Sequence, residues 1–369
     1  MPEPISDTLP IRKIIHVDMD CYYAAIEMRD DPSLNNHPIA VGGSPDKRGV
    51  IATCNYEARS YGVRSAMPSA YAKRLCPGLI IVPPNFDKYR HDSKVIRGIF
   101  AQYTDLIEPL SLDEAYLDVT DCTEYKGSAT YIAQAIRYQI FEKLQLTASA
   151  GVAPNKFLAK IASDWNKPNG QFVLTPDEVE GFVARLPVNK IHGVGKKTAE
   201  KFQRMGIDTC KELREIDLLT LSKTFGSFGQ RLYELARGID NRKVITHYPR
   251  KSLSVENTYD KDLVTLEECL EELPYLLQTL KRRVARSGVG APVNKLFAKL
   301  KFSDFTATTV ERTSFGINDD LFYELMEEGF YRREKSVRLL GIGVRFQASE
   351  STNFVQLPLE YSDLDDDFG

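Results

Sequence analysis

The sequence lacks the features of membrane, secreted and metal-cluster proteins. It has no apolar run near the roughly 20 residues that span a bilayer, no internal repeat, and six scattered cysteines without a CxxC pair. Residues 1–10 contain acids and prolines where a signal peptide needs a basic start and an apolar stretch. These absences predict a cytoplasmic protein with reduced cysteines, no membrane contact and a flexible leader over residues 1–10.

A strong charge of either sign is also missing. The formal net charge is −3, whereas nucleic-acid-binding domains are often basic. Five acids lie in the last nineteen residues, however, and the other 350 residues carry +2. Composition is therefore silent on DNA binding. A length of 369 residues predicts two to four domains, and the absence of coiled-coil heptads favours a monomer.

Two acidic motifs stand out against this background. The apolar run Ile14–Val17 is typical of a buried strand and leads into Asp18-Met19-Asp20-Cys21 before a helical pattern. Residues 111–119 alternate like a strand and begin with the adjacent acids Asp113 and Glu114. Carboxylates held close together need a cation, and Mg²⁺ prefers oxygen ligands. The acids therefore form a candidate magnesium site, although a turn with two solvated acids is an alternative for residues 113 and 114.

Together and in this order, the two motifs resemble those of the Y-family translesion DNA polymerases, most closely the bacterial DinB branch. The resemblance extends from about residue 11 into the C-terminal tail. It implies a multidomain α+β fold of the right-hand polymerase type. Such a fold has a palm built on an antiparallel sheet, small fingers, a helical thumb with a helix-hairpin-helix motif, and a βαββαβ-like little finger.

The resemblance also implies the activity. A Y-family enzyme is a template-directed DNA polymerase of low fidelity and low processivity without a proofreading exonuclease. It adds deoxynucleotides to a primer 3′ end by two-metal phosphoryl transfer, and it acts in translesion synthesis and mutagenesis at stalled forks. Its partners are primer–template DNA, deoxynucleoside triphosphates and the bacterial sliding clamp.

Turn-forming residues that interrupt the helix and strand patterns, together with the resemblance, predict the domain boundaries. The predicted segments are a leader (1–10), the palm (11–29 and 84–175), the fingers (30–83), the thumb (176–240), a linker (241–251), the little finger (252–347) and a tail (348–369).

The resemblance assigns roles at the active site. Asp18 and Asp113 are the main ligands of two Mg²⁺ ions, with help from the Met19 carbonyl, and Glu114 is the catalytic carboxylate. Asp20 lies outside this set and is expected to cap the next helix or support it. The substrate-binding residues are expected to be Tyr22, Tyr23, Tyr56, Arg59 and Lys167.

Alternatives remain for several of these side chains. Tyr23 matches the steric gate that excludes a ribose 2′-hydroxyl, but it could be a core aromatic. Lys156 and Lys160 are interpreted as solvated, and only Lys167 is assigned to the triphosphate.

DNA-binding and clamp-binding segments are predicted farther along the chain. Gly193 and Gly195 precede Lys196 at the start of a helix, as in helix-hairpin-helix motifs, although an ordinary helical turn is possible. The even spacing of Lys295, Lys299 and Lys301 puts them on one face of a strand. In the tail, a sequence similar to the clamp-binding motif contains Gln356, Leu357 and Leu359.

Two other functions remain open. A different palm-type two-metal enzyme, such as a nucleotidyl cyclase, would need neither the helix-hairpin-helix nor the little finger. A non-catalytic DNA- or clamp-binding scaffold would have no need for three carboxylates.

Overall fold

The computed structural model describes residues 11–347. The chain divides into two compact units, with the boundary between His247 and Tyr248. Each unit is built on its own buried apolar clusters. No helix within the described part is long and apolar enough to cross a membrane.

The first unit alternates strands and helices up to residue 173 and is helical beyond it. In chain order its elements are β1 (Ile14–Met19), α1 (Tyr22–Asp30), β2 (Ile39–Gly42), β3 (Ile51–Cys54), α2 (Tyr56–Ser60), α3 (Ser69–Leu75), β4 (Ile80–Val82), α4 (Phe86–Phe100), β5 (Ile107–Pro109), β6 (Glu114–Asp118), α5 (Ala129–Leu144), β7 (Ala148–Ala153), α6 (Lys156–Trp165), β8 (Gln171–Val173), α7 (Val179–Arg185), α8 (Lys196–Arg204), α9 (Cys210–Arg214), α10 (Leu218–Phe225) and α11 (Ser227–Leu235).

A five-stranded sheet with the order β5-β6-β1-β7-β8 forms the centre of this unit. Three of its pairings are antiparallel, and β7 with β8 is parallel. The central strand β1 is apolar on both faces, with Ile14, Ile15 and Val17 fully buried, as expected for a strand covered on both sides. The buried core around the sheet therefore fixes the end of β1, where Asp18 lies.

Helix α6 packs closely against β7. At Gly151 a Cβ atom would lie only 2.1 Å from the carbonyl oxygen of Ala159, so no larger residue fits without moving the backbone. The side chain of Asn155 caps the helix by accepting from the Leu158 N–H. Pro154 precedes this cap and lies outside the helix.

Two smaller substructures complete the first unit. A three-stranded sheet with the order β3-β2-β4 packs with α2 and α3 around its own apolar cluster. Helices α7 to α11 share a cluster with α6 that includes Phe157 and Phe202.

The second unit is a four-stranded antiparallel sheet with helices on its apolar face. Its elements are β9 (Ser252–Leu263), α12 (Leu266–Glu271), α13 (Leu273–Arg286), β10 (Val293–Phe302), β11 (Ala307–Thr313), α14 (Asp319–Tyr331) and β12 (Val337–Phe346). The strand order is β11-β10-β12-β9. The predicted βαββαβ order is confirmed. Its first helical segment consists of two helices that meet at Glu272, just before Pro274, which lacks an N–H group.

Candidate active site

Strand register brings the two acidic motifs together. Asp18 lies opposite Glu114 of β6 on one side and opposite Ser149 of β7 on the other. The Met19 N–H donates to the Asp113 carbonyl over 2.9 Å, which fixes the end of β1 against the residue before β6. Ligand atoms of His16, Asp18 and Glu114 lie within 4.8 Å of one another. Acids from distant parts of the sequence thus meet at one end of the sheet.

Asp113 stands slightly apart from this group. Its carboxylate accepts a hydrogen bond from the Ser111 hydroxyl. It nevertheless lines the same cavity of about 370 Å³ as Asp18 and Met19. Two of the three predicted acids, Asp18 and Asp113, therefore line this cavity, and Glu114 lies beside Asp18 without being part of the lining.

Burial disfavours the ionised form of the Asp18 side chain. It raises the pKa of this carboxyl to about 6, opposed by the Lys167 ammonium, whose Nζ donates to Asp18 Oδ1 over 2.5 Å. The negative charges of Glu114 and Asp113 raise this pKa further. A cation near these acids would favour the ionised form of Asp18.

Glu114 is held ionised by two basic side chains. Burial raises the pKa of its carboxyl, but contacts with His16 and Lys160 outweigh this and lower the pKa to about 2. Lys160 donates to Glu114 Oε2, and His16 Nε2 lies 3.1 Å from the same oxygen. Burial lowers the pKa of His16 to about 4, so the ring is neutral at pH 7. Its Nδ1 lies 2.8 Å from the Ser163 hydroxyl, which fixes the ring from the other side.

The donor set fits Mg²⁺. Carboxylate oxygens of Asp18, Asp113 and Glu114 and a main-chain carbonyl at Met19 are hard oxygen ligands of the kind this ion prefers. The pKa of Asp18 is raised because the positive charge of Lys167 does not fully offset its burial. A bound cation would supply the missing positive charge.

The two tyrosines after the metal-site acids differ in their surroundings. Tyr22 is buried, also contributes to the lining of the cavity, and donates its hydroxyl to the Tyr89 carbonyl over 2.8 Å. Tyr23 is partly exposed, lines the cavity, and stacks on Tyr89 with ring centroids 4.3 Å apart. Phe86 approaches the Tyr23 ring edge-on at 5.8 Å. The ring predicted to be the steric gate therefore borders the cavity and is packed against aromatic rings of α4.

The side chains predicted to bind triphosphate approach the cavity from different elements. In α2 the guanidinium of Arg59 lies 4.7 Å above the Tyr56 ring, as their three-residue spacing indicates. Lys167 enters from the loop between α6 and β8 and contacts Asp18. Arg59 and Lys167 both line the cavity.

Two predictions about neighbouring residues, Lys156 and Lys160, were wrong, and of the two alternatives for Asp20 the helix cap is excluded while the supporting role remains. Asp20 does not cap α1, because Cys21 occupies the N-cap position and no side chain caps this helix. Lys156 is not solvated; it is buried and pairs with Glu108 over 2.5 Å. Lys160 is only partly exposed and contacts Glu114. Sequence reasoning also missed His16, because no sequence pattern distinguishes it from the core residues of the apolar strand in which it lies.

The predicted DNA-binding residues lie on the surface of their elements. Gly193 has φ 101°, a conformation that favours glycine, and Gly195 is the N-cap of α8, followed by the exposed Lys196. In the second unit the side chains of β10 alternate: Leu296, Ala298 and Leu300 are buried, while Lys295, Lys299 and Lys301 point to the other face. Lys295 pairs with Glu311 and Lys299 with Glu256, each over 2.8 Å. Gln356, Leu357 and Leu359 lie outside the described residues.

Comparison with known families accounts for most of the chain. Residues 17–164 match the impB/mucB/samB family, and residues 250–359 match the C-terminal domain of the same family. Residues 189–240 match a model described as the DNA polymerase-iota thumb domain.

Individual relatives match over nearly their full length. DNA polymerase IV of Pseudomonas fluorescens (strain Pf0-1) is 61% identical, covering 91% of this chain and 95% of the relative. DNA polymerase IV of Legionella pneumophila (strain Philadelphia 1) is 56% identical, covering 95% and 99%.

Solved structures agree. A Y-family DNA polymerase chimera of Dbh and Dpo4 has a TM-score of 0.82 at 29% identity, covering 90% of this chain and 98% of that one. The insertion ternary complex of Dbh DNA polymerase has a TM-score of 0.65 at the same identity and coverage. These matches agree with the palm-like sheet, the helical segment and the βαββαβ unit described above. The chain therefore belongs to the bacterial DNA polymerase IV (DinB) branch of the Y-family and is a DNA-directed DNA polymerase.

Proposed function

We propose that this polymerase extends a primer 3′ end by two-metal phosphoryl transfer, with Asp18, Asp113 and Glu114 as the metal-binding acids. The observation that carries the proposal is the register that puts Asp18 opposite Glu114, beside a cavity that Asp113 also lines. Acids that are remote in sequence and adjacent at the rim of a cavity are the arrangement that metal-assisted phosphoryl transfer requires.

The carboxylates of Asp18, Asp113 and Glu114, with the Met19 carbonyl, would hold two Mg²⁺ ions. Bound Mg²⁺ supplies a lowered pKa for the primer 3′-hydroxyl and neutralises charge on the triphosphate and the leaving pyrophosphate. Glu114 takes the place of the catalytic carboxylate on the primer side. Its low pKa keeps it ionised across the physiological range, and Lys160 and His16 fix its orientation.

The incoming nucleotide is bound by basic and hydroxyl groups on two sides of the cavity. Arg59 and Lys167 present positive charge, and Tyr56 offers a hydroxyl, so all three are suited to the triphosphate. Tyr22 supports the lining of the cavity on the nucleotide side, and its hydrogen bond to the Tyr89 carbonyl holds it in place. Tyr23 is the steric gate, because its ring borders the cavity and its packing against Tyr89 and Phe86 resists displacement by a 2′-hydroxyl.

DNA is held through its phosphate backbone by groups in both units. Gly193 and Gly195 expose N–H groups at the start of α8, and Lys196 adds charge, so this turn is suited to a phosphate. Lys295, Lys299 and Lys301 form a basic row on the open face of β10. We assign residues 11–29 and 84–175 to the palm, 30–83 to the fingers, 176–240 to the thumb, 241–251 to the linker and 252–347 to the little finger.

The cellular role follows from these parts. A small fingers domain and short side chains such as Ala52 at the cavity leave room for distorted bases, so synthesis is of low fidelity and bypasses lesions. We assign the enzyme to the cytoplasm as a monomer of low processivity without proofreading. The sequence of its tail supports recruitment to stalled forks by the sliding clamp through Gln356, Leu357 and Leu359.

Primer extension with Mg²⁺ tests the proposal. The wild-type chain should add deoxynucleotides opposite a template, and Asp113→Ala/Glu114→Ala should abolish this while still binding primer–template DNA. Asp164→Ala is a matched control, because this acid of α6 is 63% exposed and lies outside the acidic group. A wild-type chain that binds DNA without extending it would indicate a scaffold. Turnover of nucleotide without primer would indicate a cyclase-like enzyme.

A further inference from the structure

Asp20 is a buried carboxylate with no role in the metal site and an unusual set of partners. It is 2% exposed, although it directly follows β1 and lies two residues from Asp18. A buried carboxylate is costly unless hydrogen bonds satisfy it. The hydrogen-bond partners of Asp20 therefore indicate its role.

Both carboxylate oxygens of Asp20 are used, and they face different parts of the protein. Oδ1 accepts from the Ser149 hydroxyl of β7 over 2.8 Å and from the Tyr56 hydroxyl of α2 over 3.3 Å. Oδ2 accepts from the Asn169 backbone N–H over 2.8 Å. One side chain thus joins the sheet, the α2 helix and the loop of residues 167–170, which we name the Lys167 loop.

The Lys167 loop is fastened from two further directions. Ser149 also accepts from the Gly170 N–H over 3.3 Å. Arg137 donates through Nη2 to the carbonyl and the side-chain oxygen of Asn169, and through Nε to the Ala148 carbonyl. Asn169 has φ 51°, a left-handed conformation that asparagine tolerates better than most residues. Asp20 is the member of this network that also reaches Tyr56.

We infer that Asp20 is a positioning residue that sets the distance between Tyr56 and the Lys167 loop, and so shapes the grip on the triphosphate. The inference rests on the proposed function, in which Tyr56 and Lys167 contact the triphosphate. Asp20 itself touches neither nucleotide nor metal in this scheme. The carboxylate presents one acceptor oxygen to the two hydroxyls and the other to the Asn169 N–H, so that both hydroxyls donate to it.

Asp20→Asn is the sharpest substitution, because it keeps the shape and removes one acceptor. The amide can accept from the hydroxyls or from Asn169, but not from both. The KM for deoxynucleoside triphosphate should rise about 10- to 100-fold, the loss expected from a hydrogen bond to a charged acceptor. Inhibition by inorganic tripolyphosphate should weaken by a similar factor, kcat should change less than KM, and the Kd for primer–template DNA should stay the same.

Two further variants separate positioning from folding. Tyr56→Phe removes only the hydroxyl, and if Asp20 acts partly through Tyr56, then Asp20→Asn should raise KM less in the Tyr56→Phe background than in the wild type. Ser149→Ala only removes the hydroxyl, so it takes one partner from Asp20, and it should raise KM in the same direction by a smaller factor. It remains informative if Asp20→Asn does not fold.

An Asp20→Asn enzyme that has a lower melting temperature but an unchanged KM would overturn the inference, as would equal loss of DNA and nucleotide binding. Failure of the proposed function is a distinct result, because the wild type itself would then not extend a primer in the assay with Asp113→Ala/Glu114→Ala.

Discussion

The buried state of Asp18 predicts a pH dependence of stability that one substitution should remove. Its pKa is about 6 in the folded protein against an ordinary 3.8, so the folded state holds the proton more tightly than the unfolded state. Between these pH values the free energy of unfolding therefore falls as pH rises. Each pKa unit corresponds to about 1.4 kcal/mol, so the full effect is about 3 kcal/mol.

Asp18→Asn should abolish this component. Without Mg²⁺, the variant's free energy of unfolding minus that of the wild type should increase by about 3 kcal/mol between pH 4 and pH 7. Loss of the Lys167 contact adds an offset but does not create this slope. Urea unfolding in EDTA can be followed by fluorescence of Trp165, the one tryptophan of the chain, which packs near Phe172 and Phe182 in the same unit.

The control is Asp164→Asn, since Asp164 lies 3.7 Å from the same Lys167 ammonium but is 63% exposed. At pH 7, Mg²⁺ should stabilise the wild type by RT ln(1 + [Mg²⁺]/Kd), so its stability should rise with the logarithm of the Mg²⁺ concentration above Kd, and that of Asp18→Asn should rise much less. A pH-independent difference between Asp18→Asn and wild type, or equal stabilisation of both by Mg²⁺, would refute the reasoning.

Three other predictions follow from the site, the core and the tail. Tyr23→Ala should raise ribonucleotide incorporation about 100-fold with deoxynucleotide insertion largely intact; equal sugar discrimination in steady-state kinetics would contradict the gate. Gly151→Ala should lower the free energy of unfolding by roughly 1–3 kcal/mol in urea titrations, because its Cβ would clash with the Ala159 carbonyl, whereas Gly78→Ala, with no neighbouring atoms, should not. Replacing Gln356, Leu357 and Leu359 by alanine should weaken clamp binding by about 2 kcal/mol or more without altering clamp-free insertion; unchanged binding in a pull-down with purified clamp would contradict the assignment.

The longer strands and helices were predictable because the residue patterns that indicate them are local. The apolar run that ends in Asp18 and the alternating residues after Glu114 identify two strands. The helical spacing of the buried Ile132, Ile136 and Ile140 likewise identifies α5. By contrast, the three-residue strands β5 and β8 are too short to produce a period, and their pairing depends on neighbours distant in sequence. The sequence signal of Pro274 could have located the break between α12 and α13, since proline favours the first turn of a helix.

The polar contacts around the acids were less predictable. A buried histidine within an apolar strand, such as His16, looks like any core residue until Glu114 is placed beside it. Lysines at positions 156 and 160 have the spacing of a solvated helix face, yet acids from β5 and β6 reach both of them. Such pairs depend on where distant strands end, which no local pattern encodes. For the same reason Asp20 could be assigned a supporting role but not its partners.

The pairing of Asp18 with Glu114 has a practical consequence for purified enzyme. Side chains alternate between the two faces of a strand, so sliding β6 by one residue along β1 would set Ala115 opposite Asp18 and turn Glu114 to the other face. Because Ala115, Tyr116 and Leu117 of β6 are buried, the same shift would disrupt the core, so folding and the pairing of the two acids are linked. The fraction of competent sites in a single-turnover burst should therefore equal the fraction of folded molecules.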